Sequence, residues 1–184
     1  MNGPTVAVQG MAGCYSHLAA LTALGEDWAL LPCRDLAAVC AAVLRGAAER
    51  GVLPLENSLA GPVPGAADLL RASGLAILDE TVLRVRHCLI ARPGAELAGI
   101  RRVASHPVAL AQCRRFFARH PGLTPVAAED TAGSVRRLME RRSLQHAAIA
   151  SARAAELYGA RVLLEGIEDD PANATRFCVI ARGP

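Results

Sequence analysis

The sequence predicts an α/β protein with mostly parallel sheets, because short apolar strands alternate with helices whose apolar residues recur at helical spacing. Its 184 residues give room for one ordinary domain or two small lobes, and a hydrophobic fraction of 52% is enough for a core. Extended residues 79–86 and the loop 166–174 are candidates for a crossover between two lobes and for the return.

The first half of the chain predicts three helices and four extended segments. Gly25 follows the first helix, where glycine commonly ends helices. The second helix carries its apolar residues at helical spacing. Strands are expected at residues 5–8, 51–55, 75–78 and 82–91, and helices at residues 17–24, 35–45 and 68–71.

The second half continues the alternation. Pro107 stands where a first helical turn tolerates proline, and Asp130 and Ser151 are good helix caps. The last strand lacks polar alternation, which predicts a central position in its sheet. Strands are expected at residues 100–104, 147–150, 162–164 and 175–181, and helices at residues 105–119, 130–142 and 151–159.

Composition excludes several classes of function. A net charge of +3 and 3% aromatic residues argue against a nucleic-acid partner. No apolar run reaches the roughly 20 residues of a membrane span, and no secretory signal precedes the first strand, so we expect a cytoplasmic protein without a membrane partner. The chain has no lysine, which excludes Schiff-base chemistry and a phosphate-binding P-loop lysine.

The cysteines do not predict a metal site. The six are scattered without a CxxC pair, and no histidine lies at zinc-ligand spacing from two of them. We expect most of them to be small core residues in a reducing compartment.

Polar residues follow strands or open helices at four places: residues 10–16, 56–58, 105–112 and 173–177. Such strand ends are the usual ligand position of open α/β sheets, and glycine turns before a helix favour anions. Ser105 and Gln112 are seven residues apart and would share a helical face. Together the four places predict a small anionic organic ligand in a cleft. Taken alone, each of these places is also compatible with a structural role such as a tight turn, a helix cap or a surface histidine. The acidic residues 165–170 predict a solvated turn.

The same segments resemble the prephenate dehydratase catalytic domain over essentially the whole chain. The matching motifs are GMAGCYS at 10–16, GVLPLENS at 51–58, SHP at 105–107, AQCR at 111–114, AIAS at 148–151, AELYG at 155–159, IEDD at 167–170 and TRF at 175–177. Position 14 is cysteine, where the family often has threonine or another small residue.

The resemblance implies a fold of two α/β lobes, like type II periplasmic binding proteins, with the active site in the cleft between them. Lobe 1 would comprise residues 1–80 plus 168–184 and lobe 2 residues 81–167. The family usually carries a C-terminal ACT regulatory domain that senses phenylalanine, and we expect this sequence to hold the dehydratase domain without it.

The activity that the resemblance implies is a carbon–oxygen lyase of phenylalanine biosynthesis. Prephenate, a small-molecule substrate, would lose carbon dioxide and water to give phenylpyruvate. Aromatisation drives that reaction, so we expect neither a cofactor nor a metal. The resemblance also implies a homodimer or a higher homo-oligomer.

The resemblance also assigns residues to roles. Thr175 would be the catalytic hydroxyl donor, with Glu56 as a second catalytic residue that donates if burial keeps it protonated. Arg176 would be a carboxylate partner, and Phe177 would pack the cleft. The remaining residues expected to bind substrate are Ser16, Asn57, Ser58, Ser105, His106 and Gln112.

Three alternatives stay open. Arogenate dehydratase would act on the amine analogue of prephenate, and a non-aromatising prephenate decarboxylase would keep the ring hydroxyl. The TRF motif at 175–177 favours a dehydratase, because the hydroxyl must leave there. A non-catalytic small-anion binding module is the alternative of another class, since two-lobe folds are shared with binding proteins.

Overall fold

The computed structural model describes residues 3–183, so the predicted lobe ends at residues 1, 2 and 184 lie outside the described part. In chain order the elements are β1 Thr5–Gln9, α1 Tyr15–Leu24, β2 Ala29–Cys33, α2 Leu36–Leu44, β3 Arg50–Asn57, β4 Gly61–Pro62, α3 Ala66–Ser73, β5 Ala76–Arg84, β6 Cys88–Ala91, β7 Arg102–Ser105, α4 Pro107–Ala111, α5 Arg114–Arg119, β8 Thr124–Ala127, α6 Thr131–Glu140, β9 His146–Ala150, α7 Ala152–Tyr158, β10 Arg161–Glu165 and β11 Ala174–Ala181. A 3-10 turn spans Leu97–Gly99. This alternation of strands and helices confirms the predicted α/β class.

The chain divides into two compact units, each with its own sheet. Unit 1 holds the residues up to Met11, Tyr15–Arg84 and the residues from Ala174 onward, and unit 2 holds Ala12–Cys14 and Val85–Asn173. The sequence placed the crossings at 80/81 and 167/168. In the structure β5 and β11 pair from end to end, so a boundary at residue 80 would cut through one sheet.

The sheets are mixed, which corrects the expectation of mostly parallel pairing. The sheet of unit 1 has the order β2-β1-β3-β11-β5, with β4 paired to β3, and the sheet of unit 2 has the order β10-β6-β9-β7-β8. Strand β1 is parallel to both its neighbours, as is β7, whereas β11 and β6 are antiparallel to both of theirs. Strands β6 and β11 are the first that the chain forms after each crossing, so no helical crossover within their own sheet holds them parallel.

The last strand is internal to its sheet, as its apolar sequence predicts. Strand β11 lies between β3 and β5 and is buried from Phe177 to Ala181. Its side chains Cys178 and Ile180 share a hydrophobic cluster with residues of α2. Asp35 caps α2 by accepting a hydrogen bond from the Ala38 amide. This packing fixes the position of β11 in unit 1.

The predicted long helix 105–119 is wrong, because the chain breaks after Gln112. Helix α4 ends at Ala111, and α5 begins at Arg114. The carboxylate of Asp169 accepts hydrogen bonds from the Arg114 and Arg115 amides at 3.0 and 2.7 Å and so caps α5. Ser105 is the last residue of β7, so it does not share a helical face with Gln112.

Three strands have no counterpart in the sequence prediction. Strands β2 and β8 lie at the edges of the sheets of unit 1 and unit 2, and the short β4 pairs with β3. Each contains a proline, Pro32, Pro125 and Pro62 respectively, which argues against a strand in sequence but is tolerated at an edge.

Five of the six cysteines are buried, as expected of small core residues, and Cys33 is half-buried. Burial raises the pKa of Cys113 to about 12 and that of Cys88 and Cys178 to about 11. These thiols therefore stay protonated and behave as small apolar groups. Within residues 3–183 no three His, Cys, Asp or Glu side chains are grouped so as to hold a metal ion. The described helices are all too short or too polar to cross a membrane.

We predict that Gly51→Ala destabilises the protein by about 1–3 kcal/mol, because the added methyl overpacks the core. Its Cβ would lie 2.9 Å from Val39 Cγ1 and 3.0 Å from both Val43 Cγ2 and Ile180 Cγ1. The matched control is Gly99→Ala, whose Cβ would meet no atom within 4 Å. Urea unfolding should give a change below about 0.5 kcal/mol for the control. Equal stability of the two variants would contradict this packing.

Candidate active site

In unit 1 the strand ends of β3 and β11 bring Asn57 and Thr175 together. The two residues are direct partners in the antiparallel ladder, and both are buried. Asn57 Nδ2 donates a hydrogen bond to Thr175 Oγ1 at 2.9 Å. The structure thus pairs a predicted substrate-binding amide with the predicted catalytic hydroxyl.

A β-bulge makes this pairing possible. Leu55 has no partner in β11, since the residues on either side of it pair with consecutive β11 residues. Without the bulge Asn57 would share a face with Leu53, four residues earlier, which packs in the α2 cluster with Cys178. The extra residue turns Asn57 to the opposite face, where Thr175 lies.

The Asn57 amide is held in one orientation. Its Oδ1 accepts hydrogen bonds from the Leu59 and Ala60 amides at 3.1 and 2.9 Å. Its Nδ2 also donates to the Ala174 carbonyl at 3.1 Å. Thr175 Oγ1 is therefore an acceptor toward Asn57, which leaves its own hydrogen to be donated, and within residues 3–183 no acceptor takes that hydrogen.

Three other predicted residues of unit 1 lie near these strand ends or on α1. Exposed Ser58 joins the strands, since its amide donates to the Ala174 carbonyl at 2.8 Å and its Oγ accepts from the Ala174 amide at 3.0 Å. Phe177, two residues along β11 from Thr175, is buried on the same face of the strand. Ser16 is buried in the first turn of α1.

Glu56 and Arg176 lie on the other face of the sheet. Successive side chains of a strand point to opposite faces, so Arg176 points away from Thr175. Its guanidinium contacts Glu80 at 2.9 Å and Glu56 at 3.3 Å. Glu56 is 51% exposed, so the burial on which its predicted role as a protonated donor depends is absent. The pKa of Arg176 is raised by its hydrogen bonds to Glu80 and Glu56.

In unit 2 half-buried Gln112 is the centre of a polar network. Its Oε1 accepts hydrogen bonds from His87 Nε2 and from Asn173 Nδ2, both at 3.0 Å. Both partners are buried, His87 with 1% exposure. No motif in the sequence points to His87, and the one hint of its burial is its place before the apolar strand β6.

The acidic residues after β10 are not a solvated turn, which corrects that reading. Glu168 Oε2 accepts a hydrogen bond from the His87 amide at 2.8 Å. The carboxylate of Asp169 caps α5, and its amide donates to the Gln112 carbonyl at 2.6 Å. Asp170 Oδ1 accepts from the Ala172 amide at 2.8 Å. Each carboxylate thus satisfies backbone donors.

Ser105 and His106 differ in accessibility. Ser105 is fully buried and donates its hydroxyl to the Ile149 carbonyl at 2.6 Å, which ties β7 to β9. That burial gives its predicted role in substrate binding no support. His106 is exposed and caps α4, with Nδ1 accepting from the Val108 amide at 3.3 Å. A neutral His106 therefore carries its hydrogen on Nε2.

Close packing against α7 requires a glycine at position 13, in the turn before α1. This residue adopts φ +86°, and a Cβ there would lie 2.7 Å from the Cα of Ala154 in α7. Ser151 Oγ donates to the Gly13 carbonyl at 2.6 Å and accepts from the Ala154 amide at 3.1 Å. At this position the structure favours the tight-turn interpretation, and the neighbouring Cys14 is buried.

The chain is similar to known proteins over nearly all of its length. A family model described as "Prephenate dehydratase" matches residues 6–184. The chain is 45% identical over 185 residues to a bifunctional N-acyl-homoserine lactone acylase/prephenate dehydratase of Komagataeibacter europaeus, covering 100% of this chain and 65% of that protein. It is also 45% identical over 188 residues to arogenate dehydratase 1 of Petunia hybrida, covering 100% of this chain and 44% of that protein.

A solved structure is similar as well. The prephenate dehydratase of Arthrobacter aurescens, in complex with L-Phe, matches with a TM-score of 0.89 at 32% identity, covering 98% of this chain and 61% of that chain. Across these three proteins the chain spans between 44% and 65% of the relative's length.

We predict that His87 makes stability depend on pH. Burial lowers its pKa from the ordinary 6.5, against the opposing effects of its hydrogen bond to Gln112 and of Glu168. The unfolded chain therefore binds a proton at His87 more readily than the folded chain does. Above about pH 6.5 His87 leaves the free energy of unfolding unchanged, and below it that free energy falls with pH, by at most about 1.4 kcal/mol per pH unit.

Urea unfolding at pH 7.5 and at pH 5.5 measures this effect. His87→Gln cannot titrate, so it should lose less stability between the two pH values than the wild type does. An equal loss in both proteins would contradict the prediction.

Proposed function

The chain belongs to the prephenate dehydratase family, and we propose that it converts prephenate into phenylpyruvate, carbon dioxide and water, as a lyase of phenylalanine biosynthesis. The observation that carries the proposal is the hydrogen bond from Asn57 to the Thr175 hydroxyl. It supports a fixed O–H donor at a strand end, which is the group that this reaction requires.

The reaction breaks two bonds of the substrate ring. The C–C bond to the ring carboxylate breaks, its electron pair enters the ring, and the C–O bond to the ring hydroxyl breaks on the opposite side. The ring becomes aromatic, and the oxygen departs with the electron pair of its bond. Hydroxide is a poor leaving group, so a donor near that oxygen lowers the barrier.

We assign that donor role to Thr175. A threonine hydroxyl is a weak acid, so it acts as a hydrogen-bond donor or a proton relay rather than as an independent acid. The Asn57 N–H that binds Oγ1 polarises the O–H bond and strengthens its donation. Asn57 therefore both orients and activates the hydroxyl.

Prephenate carries two carboxylates, so donors must also hold the anionic groups. We propose the Gln112 amide and the exposed His106 for this task. Arg176 remains a proposed carboxylate partner, but its guanidinium already contacts Glu80 and Glu56. A substrate carboxylate would have to displace one of them.

Arogenate is the second candidate substrate, because the chain is 45% identical to a protein named arogenate dehydratase. Arogenate has the same ring and carries an amine in place of the keto group. The ring chemistry proposed for Thr175 is the same for both substrates.

The proposal is tested by incubating the purified chain with prephenate and, separately, with arogenate. Proton NMR should show aromatic ring signals and loss of the ring C–H beside the hydroxyl, with phenylpyruvate or phenylalanine as product. Steady-state kcat/KM on both substrates ranks them. A dihydro product that keeps its hydroxyl would identify a decarboxylase, and binding without turnover would identify a binding module.

We also propose a reducing compartment such as the cytoplasm, supported by six free cysteines. Assembly into a homodimer or a higher homo-oligomer is likewise a proposal, which sedimentation of the purified chain would test.

We predict that Thr175→Ala lowers kcat by at least about 100-fold, the typical effect of losing a positioned donor. Thr175→Ser is the matched control, since it keeps the hydroxyl and should retain most of the activity. Steady-state kinetics on the preferred substrate measures both, with circular dichroism to verify the fold. A folded Thr175→Ala variant with near-wild-type kcat would exclude the assigned role.

A further inference from the structure

A cavity lies in unit 2 between α6 and one face of the sheet. Its volume is about 100 Å³, which is room for several water molecules. The residues that line it come from β7, β8, β9 and α6, and from the position directly after α6. None of them takes part in the proposed reaction, so the cavity calls for an explanation of its own.

The register of the strands brings four of the lining residues to one face of the sheet. Arg102 and Ala104 are two residues apart on β7, so their side chains point to the same side. His146 in β9 is the ladder partner of Arg102, and Val126 in β8 is the ladder partner of Ala104. These four residues therefore form the sheet side of the cavity.

The C-terminal end of α6 adds two more arginines to the lining. Arg137 lies in the last turn of the helix, and Arg141 directly follows it. The guanidinium of Arg137 donates to Ser134 Oγ at 3.5 Å and lies 3.9 Å from the carboxylate of Glu129, which is 93% exposed. The side chains of Arg102 and Arg141 form no hydrogen bond or ion pair within residues 3–183.

The chemistry of this lining suits an organic anion. Three guanidinium groups surround one cavity and contact a single carboxylate, that of Glu129, so a bound anion would relieve their mutual repulsion. A guanidinium binds a carboxylate through two parallel N–H donors. Most of the remaining lining is apolar, with Ala104, Val126 and Leu138, and it would contact a hydrocarbon group.

We propose that this cavity is a binding site for a small monocarboxylic acid with a compact apolar body. Arg102, Arg137 and Arg141 bind the carboxylate. The hydrocarbon part of the ligand lies against Ala104 and Leu138. The inference goes beyond the proposed function and does not depend on it.

Pivalate and its neutral amide, pivalamide, test the proposal, because they share one compact apolar body and differ in charge. In a ¹⁵N–¹H spectrum we expect pivalate to shift backbone signals of α6 and β9 saturably, with a Kd of about 1–10 mM. Pivalamide and inorganic phosphate should each bind at least about fivefold more weakly, because pivalamide lacks the charge and phosphate lacks the apolar body.

Three results of this titration would contradict the proposal. Shifts that do not saturate, or that are confined to other parts of the chain, would exclude the site. Equal binding of pivalamide would exclude the role of the arginines. Phosphate binding as tight as that of pivalate would exclude an organic acid as the preferred ligand.

Two variants and a matched control locate the binding. Arg102→Gln and Arg141→Gln should each weaken pivalate binding about fivefold, the upper end for an ion pair that solvent reaches. Arg142→Gln removes the same charge at an exposed residue that does not line the cavity, and it should stay within about twofold of the wild-type Kd. Equal weakening in all three variants would reveal a general effect of net charge and would overturn the proposal.

The variants themselves should fold normally. All three arginines are exposed, so urea unfolding should give the wild-type curve for each variant. Neither experiment measures turnover, so their results leave the proposed reaction to its own test.

Discussion

The hydrogen bond between Asn57 and Thr175 depends on one unpaired residue. Leu55 interrupts the β3–β11 ladder, and this single insertion turns Asn57 from the α2 face of the sheet to the face of Thr175. The interior of β11 is fixed by the core, since it is paired on both sides. The hydroxyl that we propose as the donor therefore lies on a rigid strand, and the amide that orients it lies at the end of a neighbouring rigid strand.

The same physical arrangement occurs in both units. In unit 1 two backbone amides hold the oxygen of Asn57, so that its NH2 group faces Thr175. In unit 2 His87 and Asn173 hold the oxygen of Gln112. An amide whose oxygen is already bound twice becomes a donor of fixed direction without any charge. Neutral donors of this kind would suit the doubly anionic substrate that we propose, because Arg176 is already paired with carboxylates.

Sequence patterns predict the local part of this structure and miss the non-local part. Asp130 and Ser151 cap α6 and α7 as predicted, because a cap depends only on the next few residues. The break of the helix at Cys113 depends on Asp169, 55 residues beyond Arg114, so nothing within the segment indicates it. The bulge at Leu55 likewise arises from the register with β11. The motifs resembling the family point to Thr175 and its strand, and the alternation of that strand already separates the face of Thr175 from that of Arg176. Only the structure shows that Arg176 is paired with Glu80 and Glu56.

The central claim is that Asn57 and Thr175 act as one donor unit. A double-mutant cycle with Asn57→Ala, Thr175→Ala and the combination, read as kcat/KM on the preferred substrate, tests it most directly. If Asn57 acts through the hydroxyl, its removal should matter little once Thr175 is gone, so the double variant should be about as impaired as Thr175→Ala. Losses that multiply fully in the double variant would show that the two residues act independently and would contradict the claim.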